Sequence, residues 1–301
     1  MLLSARFPRV QKGPMRTPTV SGAIAATALV LAALLSGCAG PNTVSLQEVR
    51  SFADQSAKLG AYNELSTRYR DTYAREQLYL APAADKLGKE NDAKRRAVVD
   101  DFVSAQKAVV LYMQTLAMLA GEERYDLSER LDDLGKGIKA NLDNGLDQRH
   151  VQAYTGMTRL LTRVIASNYQ NRSVQTMVRD GDRDLQTLLD AMLTLTRLYS
   201  KTHDNEKKTI LGMFDIEIPL ARPQDRMLVT LAKVHHMNKA TEYRLLDKRY
   251  DLATQGLTKV AIGHQRLREH ANELQAAEIK AMLISYARDL QIIRAGLAGS
   301  D

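Results

Sequence analysis

A heptad repeat in the last third of the chain constrains the fold more than any other feature of the sequence. Its apolar seam has nine positions at alternating spacings of four and three residues, which are Leu246, Tyr250, Ala253, Leu257, Val260, His264, Leu267, Ala271 and Leu274. This spacing places every seam residue on one side of an α-helix, and that side must pack along another helix. The pattern then slips and resumes at Ile279. A turn or a stutter in the heptad repeat would explain the slip, and we favour a tight turn after Leu274.

His264 is the histidine in this seam. We predict a buried polar residue that fixes the register of the packed helices, as asparagine does in coiled coils. There are two alternatives. His264 could sense pH, or it could be a histidine without a special role that has its hydrogen bonds satisfied or is partly exposed.

The rest of the sequence also favours helices. The chain is 45% hydrophobic, and four of its seven prolines follow the N-terminal segment, at Pro41, Pro82, Pro219 and Pro223. Rare proline with abundant alanine and leucine is typical of helical proteins. We predict an all-α fold, an elongated bundle of about five to seven long antiparallel helices.

Capping and breaking residues suggest where these helices lie. Ser45 and Glu48 form a potential capping box, with Val44 and Val49 as a hydrophobic staple, so we predict a first helix from Ser45 to about Leu80. The further predicted segments are a helix over 84–120 ended by Gly121, a short helix capped by Asp126, a turn at Asp143–Gly145, and a long helix from Leu146–Asp147 through Tyr199 with a possible interruption at Gly181.

The stretch "MFDIEIPLARP" breaks the helical pattern. Phe214, Ile216, Ile218 and Leu220 alternate with polar residues or proline. A period of two indicates extended backbone. We therefore predict an extended connector here, with Pro223 in the first turn of the following helix.

The net charge excludes one class of partner. Formal net charge is +7. Without Arg6, Arg9, Lys12 and Arg16 it falls to three. Basic and acidic residues are then nearly equal in number, so the charge balance does not indicate the basic surface that nucleic acid would require.

The N-terminal segment has the layout of a secretory signal. Basic residues precede an uncharged run at 19–35, and small residues follow it. A membrane-spanning helix needs about 20 apolar residues, so this run is slightly short for an anchor. Because the basic region before the run is long, we predict Met15 as the true start or residues 1–14 as dispensable.

The four residues Leu35-Ser36-Gly37-Cys38 resemble the lipobox of bacterial lipoproteins at every position. The resemblance covers roughly the first eighth of the chain. It implies cleavage before Cys38, a diacylglycerol on the thiol of Cys38 and an acyl chain on its new amino group. It also implies, from Ala39, sorting to the outer membrane and a periplasmic location. An ordinary signal peptide and an uncleaved anchor are the alternatives.

These observations give the predicted domain organisation. Residues 1–37 form the signal peptide, 38–44 a lipidated tether, and 45–301 a helical-bundle domain with a possible sub-boundary near 210–224. Cys38 is the only cysteine. A free thiol is a liability in an oxidising compartment, and lipidation would cap it.

Motifs for catalysis or metal binding are weak. The acids of Asp180–Asp184 resemble the start of a calcium loop, but the later ligands are missing, and a solvated helix turn fits better. The segment Thr202–Lys208 ("THDNEKK") could hold a metal or acid–base site, but its neighbouring residues diverge around a helix, which favours a solvated face or a cap. His235 and His236 are adjacent and cannot both face one metal from a helix.

Four tyrosines, at Tyr62, Tyr69, Tyr73 and Tyr79, could bind a glycan or lipid, but a position at the rim of the core is the simpler interpretation.

We predict no catalytic residue, no metal site and no cofactor. The expected partners are the bilayer, through acyl chains on Cys38, and a periplasmic or envelope protein. The predicted function is an outer-membrane-anchored structural or adaptor module, and the alternatives are a carrier of an apolar ligand between helices and a cell-envelope enzyme.

Overall fold

The computed structural model of the chain describes residues 46–58, 61–121, 126–135, 137–167 and 173–298. These residues are all-α, as predicted. Their helices are α1 (Gln47–Ala57), α2 (Ala61–Arg70), α3 (Thr72–Glu76), α4 (Pro82–Ala120), α5 (Ser128–Asp132), α6 (Gln148–Ala166), α7 (Val174–Leu220), α8 (Arg226–Glu269) and α9 (Ala277–Ala298). Short 3-10 turns lie at Gln77–Tyr79, Leu142–Asn144 and Pro223–Asp225.

The hairpin of α7 and α8 is the longest feature of the fold. The two helices have 47 and 44 residues, so each is about 65–70 Å long. All nine residues of the predicted seam are buried, but only the first seven, Leu246 to Leu267, lie in α8; Ala271 and Leu274 follow its end at Glu269. The chain turns over residues 270–276 before α9, so a turn is present, but it begins before Leu274 and not after it.

We call the α7–α8 turn the tip of the hairpin and the opposite end, where α8 finishes, the base. The N-terminal helices run along α8 from base to tip. The order is given by four contacts: the ring of Phe52 lies against Gly263, the Tyr62 hydroxyl donates to the Ala253 carbonyl, Glu64 pairs with Arg249, and the Tyr79 hydroxyl lies 2.8 Å from His235 Nε2. The described chain therefore begins at the base.

The remaining helices complete the bundle around this hairpin. Helices α4 and α6 pack on α7, α1 packs against α4 and α9, and α9 returns along α8. In this last pair, Lys259 Nζ lies 2.7 Å from Asp289 Oδ2. One large apolar core runs through these helices, and a small separate cluster of Ile210, Phe214 and Tyr243 lies towards the tip.

Two helix predictions are wrong because a break was missed. The segment from Ser45 to Leu80 is divided into α1, α2, α3 and a 3-10 turn, and this division lets the N-terminal chain follow α8. The segment from Leu146 to Tyr199 is divided too, since α6 ends at Ala166 and α7 begins at Val174. Gly181 does not interrupt α7; it is buried in the helix.

The predicted extended connector is also wrong. Residues 210–220 belong to α7, with Pro219 in its final turn. Proline disturbs a helix least where the helix is about to end, because no following turns depend on it. Ile210 and Phe214 are buried and Ile218 is partly buried, which is a spacing of four, whereas Ile216 and Leu220 are exposed. The apparent period of two therefore came from two helix faces that both carry apolar residues.

Several local predictions are confirmed. Gly121 caps the end of α4, and Gly145 forms a turn with φ of 78°. Helix α4 begins at Pro82, two residues before the predicted start, and Asp126 accepts a hydrogen bond from the Ser128 amide, although the N-cap residue of α5 is Leu127. Pro223 lies in the first turn before α8. Ser45 and Val44 lie outside the described residues. Residues Ser45–Asp301 form one compact unit, and the domain boundaries predicted above stay predictions.

Candidate functional site

Glu206 of α7 is the centre of a buried ionic cluster between the N-terminal helices and α8. The residue is 1% exposed. Its Oε1 accepts hydrogen bonds from Arg68, from Arg75 Nε at 2.9 Å and from the Tyr243 hydroxyl at 3.0 Å, and its Oε2 accepts one from Arg75 Nη2 at 2.7 Å. Both carboxylate oxygens are thus already used by protein donors.

The charge state of Glu206 follows from these contacts. Burial by itself would raise its pKa, but the hydrogen bond from Arg75 and the charges of Arg68 and Arg75 outweigh burial and hold the pKa below its ordinary value. A permanently ionised, fully bonded carboxylate is a poor proton acceptor. The cluster therefore joins four helices, α2, α3, α7 and α8, and lacks the features of a general base.

His203 lies one turn before Glu206 and is also buried. Its Nε2 is 3.0 Å from Asp247 Oδ1, and Lys207 donates to Asp247 Oδ2 at 2.7 Å. Burial and the charge of Arg68 lower the pKa of His203, and Asp247 offsets them only in part. The interpretation of Thr202–Lys208 as a solvated face is therefore wrong for His203 and Glu206, which are three residues apart and share one buried face of α7. Asp204 and Asn205 are exposed.

His264 is fully buried on the core seam, at 0% exposure. Its Nε2 lies 2.7 Å from the Tyr112 hydroxyl, and its Nδ1 lies 3.0 Å from Asp182 Oδ1. Burial lowers the pKa of His264 more than Asp182 raises it. A neutral imidazole that donates from Nδ1 to Asp182 can accept at Nε2 from the Tyr112 hydroxyl, whose single hydrogen is then not available to the Met177 carbonyl 3.2 Å away. The role of His264 in fixing helix register stays a prediction.

The other candidate residues are scattered. Asp182, predicted to be solvated, instead pairs with His264 and Arg268. Tyr62 and Tyr69 are buried in the core, whereas Tyr73 and Tyr79 are partly exposed further along the hairpin. Within the described ranges, no group of three or more His, Cys, Asp or Glu side chains could hold a metal ion. Cys38 lies outside the described residues.

Open grooves are found on the bundle. One groove of about 390 Å³ is bordered by α1, α2, α4 and α5 and mixes apolar residues with Asn63, Gln106, Lys107, Gln114, Arg130 and Asp133. A smaller one of about 250 Å³ lies between the ends of α7 and α8, where it is bordered by residues such as Phe214, Ile218 and Leu228. Neither has the apolar, enclosed form of a lipid-carrying cavity.

The solvent side of α8 carries the most prominent exposed apolar surface. Near the tip, six positions have alternating spacings of four and three residues: Met227, Leu231, Val234, Asn238, Thr241 and Leu245. We call these six residues the tip stripe. Met227, Leu231 and Val234 are 79%, 61% and 50% exposed, and the neighbouring Leu228 and Met237 are exposed as well. The sequence signal for this second seam was present, but it was missed beside the longer core seam.

Cations without acidic partners lie beside the tip stripe. Arg226, Lys233, Arg244 and Lys248 are exposed. Among the described residues none of the four forms an ion pair, although Arg222 and Lys239 nearby do. The stripe is therefore a heptad face with four apolar and two polar positions in a positively charged setting.

The tip stripe continues a face that α9 covers nearer the base. Leu231, Asn238, Leu245, Leu252 and Lys259 are seven residues apart. Leu252 lies against Gly296 of α9, and Lys259 pairs with Asp289 of α9. Helix α9 ends at Ala298, so the same face of α8 is covered by a helix in its base half and uncovered in its tip half.

No protein-family model matches this sequence, and neither a curated protein nor a solved structure is similar to it. Within the part of the chain that the structure describes, α4 is the one helix long and apolar enough to cross a membrane. Most of its apolar stretch is buried in the core of the bundle, and such a core helix passes this test without a membrane.

Proposed function

We propose that the protein is a lipid-anchored adaptor of the bacterial outer membrane that presents a helical bundle to a partner in the periplasm. Anchoring follows from the resemblance of residues 35–38 to a lipobox, with acyl chains on Cys38. The tip stripe is the observation that supports the adaptor role, because an exposed apolar heptad face on a long helix is costly unless something covers it.

The arrangement of the bundle fits this role. The tether between Cys38 and Leu46 is short, and Leu46 is at the base of the hairpin. From Gly263, beside α1, to Met227 the distance along α8 is about 50 Å. An anchor at Cys38 would therefore leave the tip stripe far from the attachment point, where it can reach a partner.

The partner that best fits the tip stripe is an amphipathic helix with acidic residues beside its apolar face. Helix α9 is the precedent within the chain, since it covers the same face of α8 and supplies Asp289 to Lys259. A second copy of this chain would place unpaired cations against unpaired cations, which opposes association. A continued heptad seam also favours a helix over a flat lipid surface.

A fluorescence experiment tests this docking surface. The chain has no tryptophan, so Leu231→Trp introduces a single reporter in the full chain, reconstituted in nanodiscs of neutral phosphatidylcholine. The probe is a peptide of three heptads with leucine at a and d and glutamate at e and g; its twin has lysine instead of glutamate. We expect a blue shift with the glutamate peptide alone.

The matched control is Ile292→Trp on α9, because Ile292 and Leu231 have nearly equal exposure, 64% and 61%. The same shift with both peptides, or at both positions, would contradict the proposal. A shift caused by vesicles with anionic phosphatidylglycerol would favour a lipid surface, and a shift that grows with protein concentration alone would favour self-association.

The anchor is tested separately. Cells fed an alkyne-labelled fatty acid should label the wild-type chain and should not label Cys38→Ala. Label that persists in the variant would refute acylation at Cys38 and leave the docking test unaffected, because the nanodisc experiment does not depend on which group holds the chain in the membrane.

A further inference from the structure

Arg95 of α4 is a buried charge with unused hydrogen-bond donors. The residue is 8% exposed, and its Nε and Nη2 are buried atoms with no hydrogen-bond partner. Among the described residues it forms no ion pair, whereas its neighbour Arg96 pairs with Asp92 at 2.7 Å. An unpaired buried guanidinium is costly, since its desolvation is not offset.

Arg95 borders a polar pocket on the side of α7 away from α8. The pocket has a volume of about 280 Å³. Its other lining residues are mostly hydrogen-bonding side chains, namely Tyr69, Thr72, Glu76, Asn91, Lys94, Asn144, Thr202 and Asn205. They come from α2, α3, α4, α7 and the 3-10 turn before α6, so the fold assembles the pocket from distant segments.

The composition of this pocket suits one chemical class. Two cations, Arg95 and Lys94, face a single acid, Glu76. Burial raises the pKa of Glu76 more than the charge of Arg95 lowers it, so ionisation of this acid is less favoured than that of an exposed glutamate. The amide and hydroxyl groups of the asparagines and threonines can bond the hydroxyls of a small ligand.

We propose that this pocket binds a small polar molecule through an oxyanion, a carboxylate or phosphate group held by the Arg95 guanidinium. The planar fork of arginine matches both groups with paired hydrogen bonds. The site is independent of the tip stripe and of the anchor, and it lies on a different face of α7 from the Glu206 cluster. It would give the protein a ligand as well as a partner.

Calorimetric titration of the full chain in neutral nanodiscs tests the proposal, with three probes: inorganic phosphate, glucuronate and neutral glucose. We expect heat of binding with at least one of the two anions and none with glucose. Arg95→Met should weaken binding roughly tenfold or more, the loss expected for charge-assisted hydrogen bonds. Arg96→Met, one residue away, should bind as the wild type does.

Thermal unfolding followed by helical circular dichroism supplies a second readout. Because Arg95 has an uncompensated charge, Arg95→Met should leave the midpoint without ligand unchanged or higher, and it should abolish the rise that the anion causes. If Arg95→Met does not fold, Arg95→Lys is the second variant. It keeps the positive charge but lacks the planar guanidinium group, and it should still bind the anion more weakly than the wild type does.

Three results would overturn the proposal. They are no binding of either anion to folded protein, equal binding by the Arg95 variant, and binding of glucose as strong as that of the tighter-binding anion. Phosphate and glucuronate together also distinguish the source of the oxyanion, since a phosphate site should prefer the first and a carboxylate site the second.

Discussion

Two glycines in α7 have very different surroundings. A Cβ added at Gly181 would lie 2.4 Å from Cε2 of the buried Tyr112 ring, whereas one added at Gly212 would have no atom within 4 Å. Gly181 therefore lets Tyr112 reach His264, and Gly212 has no such packing role.

This contrast gives a matched pair of substitutions. Gly181→Ala should lower the free energy of unfolding by about 1–3 kcal/mol through overpacking. Gly212→Ala should raise it by about 0.5–1 kcal/mol, because alanine favours the helix. Urea unfolding measures both, and a stabilising Gly181→Ala would show that the Tyr112 ring moves freely.

The Glu206 cluster predicts a second pair. Glu206→Gln removes the charge between Arg68 and Arg75 and should lower the free energy of unfolding by about 3 kcal/mol. This value is at the lower end of the range for a broken buried ion pair, because both arginines keep some exposure. Asp204→Asn, two residues away and exposed, should change it by less than about 0.5 kcal/mol. Equal effects in the two variants would contradict a structural role for the cluster.

The burial of His264 could be predicted from the sequence, but its partners could not. Its position in a heptad seam is a local pattern. Tyr112 and Asp182 are 152 and 82 residues away along the chain, and no spacing rule connects them. The same is true of Arg68 and Glu206, so the buried polar contacts emerged only from the fold.

At the scale of helices, sequence patterns predicted that a segment is helical better than they predicted where each helix begins and ends. The α8 seam as far as Leu267, the end of α4 at Gly121 and the turn at Gly145 follow from local chemistry and were correct. The breaks within 45–80 and 146–199 depend on how segments pack along the hairpin. At residues 210–220, one face of the helix packs on α8 and another face is exposed, and both carry apolar residues. Together they produce an alternation of apolar and polar residues that resembles the pattern of a strand.

The tip of the hairpin should be the least protected part of α7 and α8. Beyond Tyr79 and Phe214 the two helices have few buried contacts, whereas residues 185–199 and 250–264 lie in the main core. Local opening is easiest where few apolar contacts are lost. Hydrogen exchange with mass spectrometry should show faster exchange at 215–234 than in those core segments, and uniform protection would contradict this expectation.

At the scale of the whole molecule, two buried histidines should make stability depend on pH. His203 and His264 both have lowered pKa values, so the unfolded chain binds protons more readily than the folded one. The free energy of unfolding should therefore fall as the pH drops below about 6.5, the ordinary pKa of histidine.

Thermal midpoints between pH 7.5 and 5 measure this effect, because most carboxylates titrate at lower pH. The double variant His203→Gln/His264→Gln should lose most of the slope, and His270→Gln, a change at the end of α8, should keep it. A slope unchanged in the double variant would assign the pH dependence to other groups.

The base-to-tip course of the N-terminal helices has a mechanical consequence. If the chain is held at its base and a partner pulls on the tip, the force acts along the helix axes. The contacts of Phe52, Tyr62, Glu64 and Tyr79 with α8 would then be loaded together in shear, and they could not be peeled apart one after another. A bundle built in this way can transmit tension from one end to the other.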